Sequence, residues 1–364
     1  MTANWTFTEL DKKIADEISD FLPERIFDSH AHLWRVSDWK NQQSGVYTEG
    51  PQVATIDTWR EYIGRQVGEK HLTGGLFLGI PMCEINSTNE FLLEQLRDEP
   101  ESRALICISP DYPQKKASEY IKNPVVAGFK PYHTYSRENT TFQSSIAGYL
   151  PEWAWKMANE NGLVITLHLV KDRALADPEN QREIRNMCLK YPNVKLILAH
   201  AARGFHSYNT VQGISSLKGL ENVWFDTSAV CEPAAIIAIL QEFGPRKLLW
   251  GSDFCVSEIR GKCVTAGDGF IWLTGETVSW DTLSPACYPT LVGLESLRAL
   301  KEAADITCLN SEDIQNIFCD NALRLLVFTE EPGTITQERY TYAKKVIPGG
   351  TQLLSKRPEL YAPD

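Results

Sequence analysis

The chain has 364 residues, 43% of them hydrophobic and 23% charged, which is the balance of a globular protein long enough to bury a large core. Its formal net charge of -11 argues against a nucleic-acid partner, whose phosphate backbone demands clustered Lys and Arg, and no apolar run reaches the length of a bilayer span. The 9 cysteines are scattered without C-x-x-C spacing and the N-terminus has no secretory pattern, so a thiol-reduced, cytoplasmic protein is expected.

Apolar residues at Leu10, Ile14, Ile18, Phe21 and Leu22 predict an amphipathic helix within 4–22, stopped by Pro23. Short apolar runs then recur at 25–30, 76–80, 104–108, 125–130, 163–168, 194–200, 223–226 and 247–251. They are nearly continuous in apolar residues rather than alternating, as parallel strands buried on both faces require. Helical patterns such as 152–161 and 180–190 lie between them. Alternating strands and helices predict an α/β fold, and eight strands point to a closed (β/α)₈ TIM barrel with inserted loops and an N-terminal helix. One domain is expected, with a core over about 25–327 and a tail after it.

Two stretches exceed a minimal barrel. Residues 34–66 form a long link after the first strand, and 254–289 follow the last, rich in glycine and aromatics. Long loops without repetitive structure are usually functional or disordered, and the aromatics predict ordered lids over the mouth. The tail 337–364 is expected to pack as an arm on this subunit or on another of a homo-oligomer.

Polar residues gather at the predicted strand ends. His30 and His32 follow the first strand, Lys130 ends the fourth, His168 the fifth, His200 the sixth, and Asp253 lies beyond the eighth. In a barrel these ends share one mouth, where catalysis occurs in this fold. Residues two apart on a strand face the same way, so His30 and His32 can present both imidazoles to one ion. Imidazoles with a single carboxylate suit zinc or similar divalent cations, which lower the pKa of a water toward neutrality. Each piece alone has a plainer reading, a buried hydrogen-bonded histidine or a capping aspartate; the pattern's force lies in its order along the chain.

At these residues the sequence resembles the amidohydrolase superfamily, in its amidohydrolase-2 branch. The matching stretches are Phe27-Asp28-Ser29-His30-Ala31-His32-Leu33-Trp34, Gly128-Phe129-Lys130, Thr166-Leu167-His168, Leu198-Ala199-His200-Ala201 and Leu249-Trp250-Gly251-Ser252-Asp253. The late helix expected over 311–326, with Asn321-Ala322 near its end, resembles that branch's closing helix. The resemblance implies that His30, His32, His168 and Asp253 bind the metal. It also implies that His200 orients the reactive oxygen, polarises the substrate or binds a second ion, and that Asp253 accepts a proton from water. Lys130 sits where relatives with two metals carry a carboxylated lysine; a protonated lysine repels a second ion, so one metal is expected here.

The expected function is metal-dependent hydrolysis of a small, carboxylated molecule such as an amide or lactone. A metal-dependent decarboxylase on the same site is the alternative, with a sugar-acid isomerase or a non-catalytic binding barrel behind it. One divalent ion is expected, zinc first, with manganese or iron compatible. Tyr132, His133, Arg203 and His206 lie just beyond strand ends, and with Lys130 they are candidates for holding an anionic substrate. Arg203 leads, since guanidinium binds carboxylate through two N–H groups. No nucleic-acid or membrane partner is expected.

Overall fold

The computed structural model describes residues 5–39, 50–282 and 287–326. Eight strands stand in sequence order, each parallel to the next: β1 (Ile26–His32), β2 (Leu72–Leu78), β3 (Arg103–Ile108), β4 (Val126–Pro131), β5 (Val164–Leu167), β6 (Lys195–Leu198), β7 (Val223–Asp226) and β8 (Leu248–Leu249). The chain after β8 closes the ring onto β1. Ser29 N–H donates to Trp250 O (3.0 Å), Asp253 N–H to His30 O (2.7 Å) and His32 N–H to Phe254 O (2.8 Å). This is the expected (β/α)₈ barrel. Every residue of β1 is buried, which is why its sequence reads as a continuous run rather than an alternation. Phe77, Ile106, Phe129, Ile165, Leu196 and Phe225 belong to one apolar core. At Gly128 a Cβ would lie 1.8 Å from Val164 O, so only glycine lets β4 approach β5 this closely.

The N-terminal helix is shorter than its apolar pattern suggests. It is α1 (Glu9–Ile18), followed by a 3₁₀ turn at Ser19–Phe21, and it begins where Thr8 and Asp11 form a reciprocal cap. Asp11 is fully buried and also accepts both terminal nitrogens of Arg260 (3.0 and 2.8 Å) and the Thr290 hydroxyl (2.7 Å). That clamp ties α1 to the chain beyond β8. The link 34–66 is not featureless: Trp34–Arg35 pairs antiparallel with Val53–Ala54, and α2 (Ile56–Val67) starts at a Thr55 cap. Further helices between or beyond strands include α3 (Ile85–Gln95), α4 (Glu152–Asn161), α5 (Pro178–Lys190), α6 (Pro233–Phe243) and α7 (Val292–Ile306).

The stretch after β8 holds a hairpin that its glycine content concealed. β9 (Gly261–Ala266) pairs antiparallel with β10 (Gly269–Thr274) around a two-residue turn, in which Gly267 has φ 61°. The closing helix expected as one piece over 311–326 contains a π-helical segment, Asn316–Asp320, between Ser311–Gln315 and Asn321–Leu326. Within that segment Ile317 O accepts from Trp250 N–H (2.9 Å), and Phe318 stacks on the Trp250 ring. Asn321 Nδ2 donates to Leu248 O (2.7 Å), so the helix braces β8 just before Asp253. Among the described residues no helix is long and apolar enough to cross a membrane. The tail expected to form an arm lies outside the described residues.

Candidate metal centre

The two β1 histidines are fixed at one ring nitrogen and free at the other. His32 Nδ1 lies 3.0 Å from Gly79 O, and His30 Nδ1 lies 3.0 Å from Asp226 Oδ2. A carbonyl and a carboxylate only accept, which assigns each proton to Nδ1 and leaves Nε2 as the lone pair. Both Nε2 atoms converge on Asp253 Oδ1, at 3.7 Å from His30 and 3.2 Å from His32. Asp253 itself takes a left-handed backbone, φ 54°, and its N–H is held by His30 O. Burial raises its carboxyl pKa, but the neighbouring His200, His32 and His30 outweigh that and hold it well below the usual carboxylate range.

His200 arrives differently from the way the apolar run suggested. β6 stops at Leu198, and His200, Ala201, Ala202 and Arg203 then follow with φ of 56°, 51°, 59° and 59°. This is a left-handed turn built without glycine, a conformation that L-residues adopt only under constraint. The constraints are visible: His200 N–H donates to Asp226 Oδ1 (2.9 Å), Gly204 N–H to His200 O (2.6 Å), and the Thr210 hydroxyl to Ala201 O (2.7 Å). The turn sets the His200 ring 5.0 Å from that of His30, with Nδ1 3.9 Å from Asp253 Oδ2 and 2.9 Å from the Ser228 hydroxyl. His168, just past β5, places its ring edge-on to His200 at 4.8 Å and 6.1 Å from His133. Burial lowers the pKa of His30, His200 and His168, which favours the neutral imidazole that a metal ligand needs.

Cationic and aromatic groups line the rest of the mouth. Lys130 is buried with Nζ 5.3 Å over the Tyr132 ring; burial pushes it down to about 8, against the pull of Asp226 and Asp253. The Tyr132 hydroxyl donates to Gly79 O, the carbonyl that also fixes His32. His133 pairs with Thr141 Oγ1 (3.2 Å) and stacks against Phe142; burial and then the Arg203 charge push it down to about 4. Arg203 donates one terminal nitrogen to Lys171 O and lies 5.5 Å over the Phe270 ring of the hairpin. Phe205 stacks on His200 at 5.1 Å and meets Phe270 and Trp272, both at 5.4 Å. The hairpin therefore forms an aromatic wall behind His200. His206 Nε2 lies 3.3 Å from Gly267 O at the hairpin turn.

The donor set fits a divalent cation. Ligand atoms of His30, His32 and Asp253 lie within 4.8 Å of one another, all buried, two imidazoles and one carboxylate. His168 is outside that triad but adjoins it through His200. A family profile described as amidohydrolase matches residues 27–328. The chain belongs to the amidohydrolase family, in its amidohydrolase-2 branch, and is a metal-dependent enzyme. No curated protein matches this amidohydrolase by sequence. Among solved structures it resembles an amidohydrolase from Burkholderia multivorans with bound zinc (17% identity, TM-score 0.57, covering 83% of this chain and 99% of that one). It also resembles a probable 2-pyrone-4,6-dicarboxylic acid hydrolase from Acinetobacter baumannii with citric acid bound (13%, 0.55, 83% and 99%). A third is 2,6-dihydroxybenzoate decarboxylase from Rhizobium (12%, 0.51, 84% and 98%). At these identities the likeness shows the barrel fold alone.

Two carboxylates of the amidohydrolase site escaped sequence reasoning. Asp226 ends β7 and contacts both His30 and His200. Asp28, inside β1, accepts from His30 N–H (3.1 Å), Ser252 N–H (2.9 Å) and Oγ (2.5 Å), and Trp59 Nε1 (2.9 Å). The available signal was positional: Asp226 is a polar residue at a strand end, as were the residues singled out.

Proposed function

We propose that this amidohydrolase hydrolyses an amide, lactone or related bond in a small carboxylated molecule, with one zinc ion held by His30, His32, His168 and Asp253. When bound, zinc supplies Lewis acidity and lowers the pKa of a water; manganese or iron suits the same donors. The observation that carries the reading is Asp253: an ionised carboxylate 3.2 Å from His32 Nε2 and 3.9 Å from His200 Nδ1, placed to take a proton at its oxygen and pass it to a leaving group. His200, backed by Phe205, orients the scissile carbonyl. Arg203 has no carboxylate partner in hydrogen-bonding range among the described residues, and with Lys130, Tyr132 and His133 it holds the substrate carboxylate. The neighbour with bound citric acid supports an anionic substrate.

Decarboxylation on the same site is the second reading, favoured by the aromatic wall of Phe205, Phe270 and Trp272 and by the Rhizobium neighbour. The deciding experiment gives zinc-loaded protein a panel of carboxylated lactones, amides and aromatic acids, and follows proton release, amine release and carbon dioxide separately. Proton release from lactone opening, or a new amine from an amide, supports hydrolysis. Carbon dioxide evolution without any hydrolysis in the panel overturns it.

A further inference from the structure

We propose that Asp226 is the positioning residue that sets His30 and His200 in register, one carboxylate oxygen holding the His30 ring and the other holding the first amide of the left-handed turn. The proposal rests on the reading of His30 as a metal ligand. Asp226 ends β7 with no exposed surface. Its Oδ2 faces His30 Nδ1 at 3.0 Å, while Oδ1 accepts from His200 N–H (2.9 Å), Ser228 N–H (3.1 Å) and Ser228 Oγ (2.5 Å). A carboxylate offers about four acceptor sites, two on each oxygen; three of these donors crowd Oδ1 and His30 alone takes Oδ2.

These contacts bear on two uses of the same residues. Ligand atoms of His30, His200 and Asp226 also lie within 4.8 Å of one another, a spacing that would by itself admit a second cation. Oδ1 is filled by its three donors, Oδ2 is turned to the His30 ring, and His200 Nδ1 already meets Ser228 O (3.0 Å) and Oγ (2.9 Å). The cluster is a brace. It makes the direction of the His30 Nε2 lone pair and the presence of the His200 turn depend on one side chain, across elements far apart in sequence.

Asp226→Asn separates the two jobs. Its amide oxygen can still accept from His200 and Ser228, but its NH₂ would oppose the His30 Nδ1–H, donor against donor. His30 then moves its proton to Nε2 and loses the lone pair that faces Asp253. The test compares wild type and Asp226→Asn by ¹⁵N NMR of the histidine rings in metal-free protein, by zinc affinity in chelator competition, and by the visible spectrum after cobalt loading. The expected result for the variant is a retained fold by circular dichroism, a switch of His30 to the Nε2–H tautomer, an altered cobalt spectrum and zinc binding weakened about 10–100-fold. An unchanged tautomer with wild-type zinc affinity overturns the proposal. So does a fall from two zinc ions per chain to one, which makes Asp226 a ligand. If the variant does not fold, the wild-type tautomer decides: Nδ1–H sustains the brace and Nε2–H overturns it. Wild-type protein that binds no zinc overturns the metal reading, while the tautomer comparison still decides the role of Asp226.

Discussion

At His30 the surroundings fix the ring before any cation arrives. Asp226 holds Nδ1, Asp28 accepts the backbone N–H, and Gly251 packs so close to the His30 Cβ that an added methyl would sit 2.8 Å away. Asp28 does this as a fully buried carboxyl whose pKa burial pushes up to about 6, in spite of hydrogen bonds from Ser252 and Trp59. The site is thus assembled from inside the barrel outward, and removing an inward-facing ligand should not unfold it. His30→Ala or Asp253→Ala is expected to weaken zinc binding by more than about a hundredfold, beyond the loss typical of an outer partner, and to abolish turnover with the circular dichroism spectrum retained. Elemental analysis of the purified variants checks this, and full metal occupancy with full turnover in either one removes the proposed centre. Elemental analysis of the wild type is expected to give one equivalent per chain with Lys130 unmodified. Lys130 touches the Tyr132 face and lies within the field of two carboxylates, which already balance its charge without a carbamate.

At the scale of elements, the β9–β10 hairpin carries the aromatic wall. Phe270 and Trp272 both pack on Phe205, which in turn covers His200, so trimming the hairpin acts on the substrate space through one ring. Phe270→Ala with Trp272→Ala is expected to raise KM several-fold and broaden the range of accepted substrates, with zinc content unchanged. Steady-state kinetics on the substrate panel checks it; an unchanged KM and profile would leave the hairpin without a selective role. How much of this was legible in the sequence varies by element. The eight strands were legible because burial on both faces leaves continuous apolar runs; His200 and Asp253 lie beyond their strands, while His30 and His32, expected to follow the first strand, lie within β1, which runs on to His32. The hairpin was missed although Gly267-Asp268 between Lys262-Cys263-Val264 and Phe270-Ile271-Trp272 is an ordinary hairpin signal; the neighbouring glycines made the stretch look like loop. Asp226 was missed because its meaning lies in a partner 196 residues away. The left-handed turn was invisible for a different reason: His-Ala-Ala-Arg contains none of the residues that normally announce positive φ.

For the whole molecule, the closing of the barrel and the anchoring of its N-terminal helix meet in one buried polar seam. Asp11 on α1 takes Arg260 and Thr290, and nearby Glu258, also buried, accepts from Gln66 of α2 (2.5 Å). Burial pushes Glu258 up to about 8, so the folded state holds a proton that the unfolded chain releases near 4.5. Its folded pKa being raised, its contribution is fully present below 4.5 and is lost as pH climbs toward 8, at up to about 1.4 kcal/mol per pH unit. Glu258→Gln keeps the Gln66 contact and cannot ionise. Its melting temperature relative to wild type is expected to rise steadily between pH 5 and about 8; a difference independent of pH would mean that Glu258 titrates normally. The left-handed turn at 200–203 bears on the same stability, since each L-residue in that region costs roughly 1–2 kcal/mol that the rest of the barrel must offset. Glycine escapes that penalty. A library of this protein sorted for heat resistance alone should therefore enrich glycine at Ala201 and Ala202 early, whereas sorting for turnover should hold His200 and Arg203 fixed, so the two selections would pull the same four residues apart.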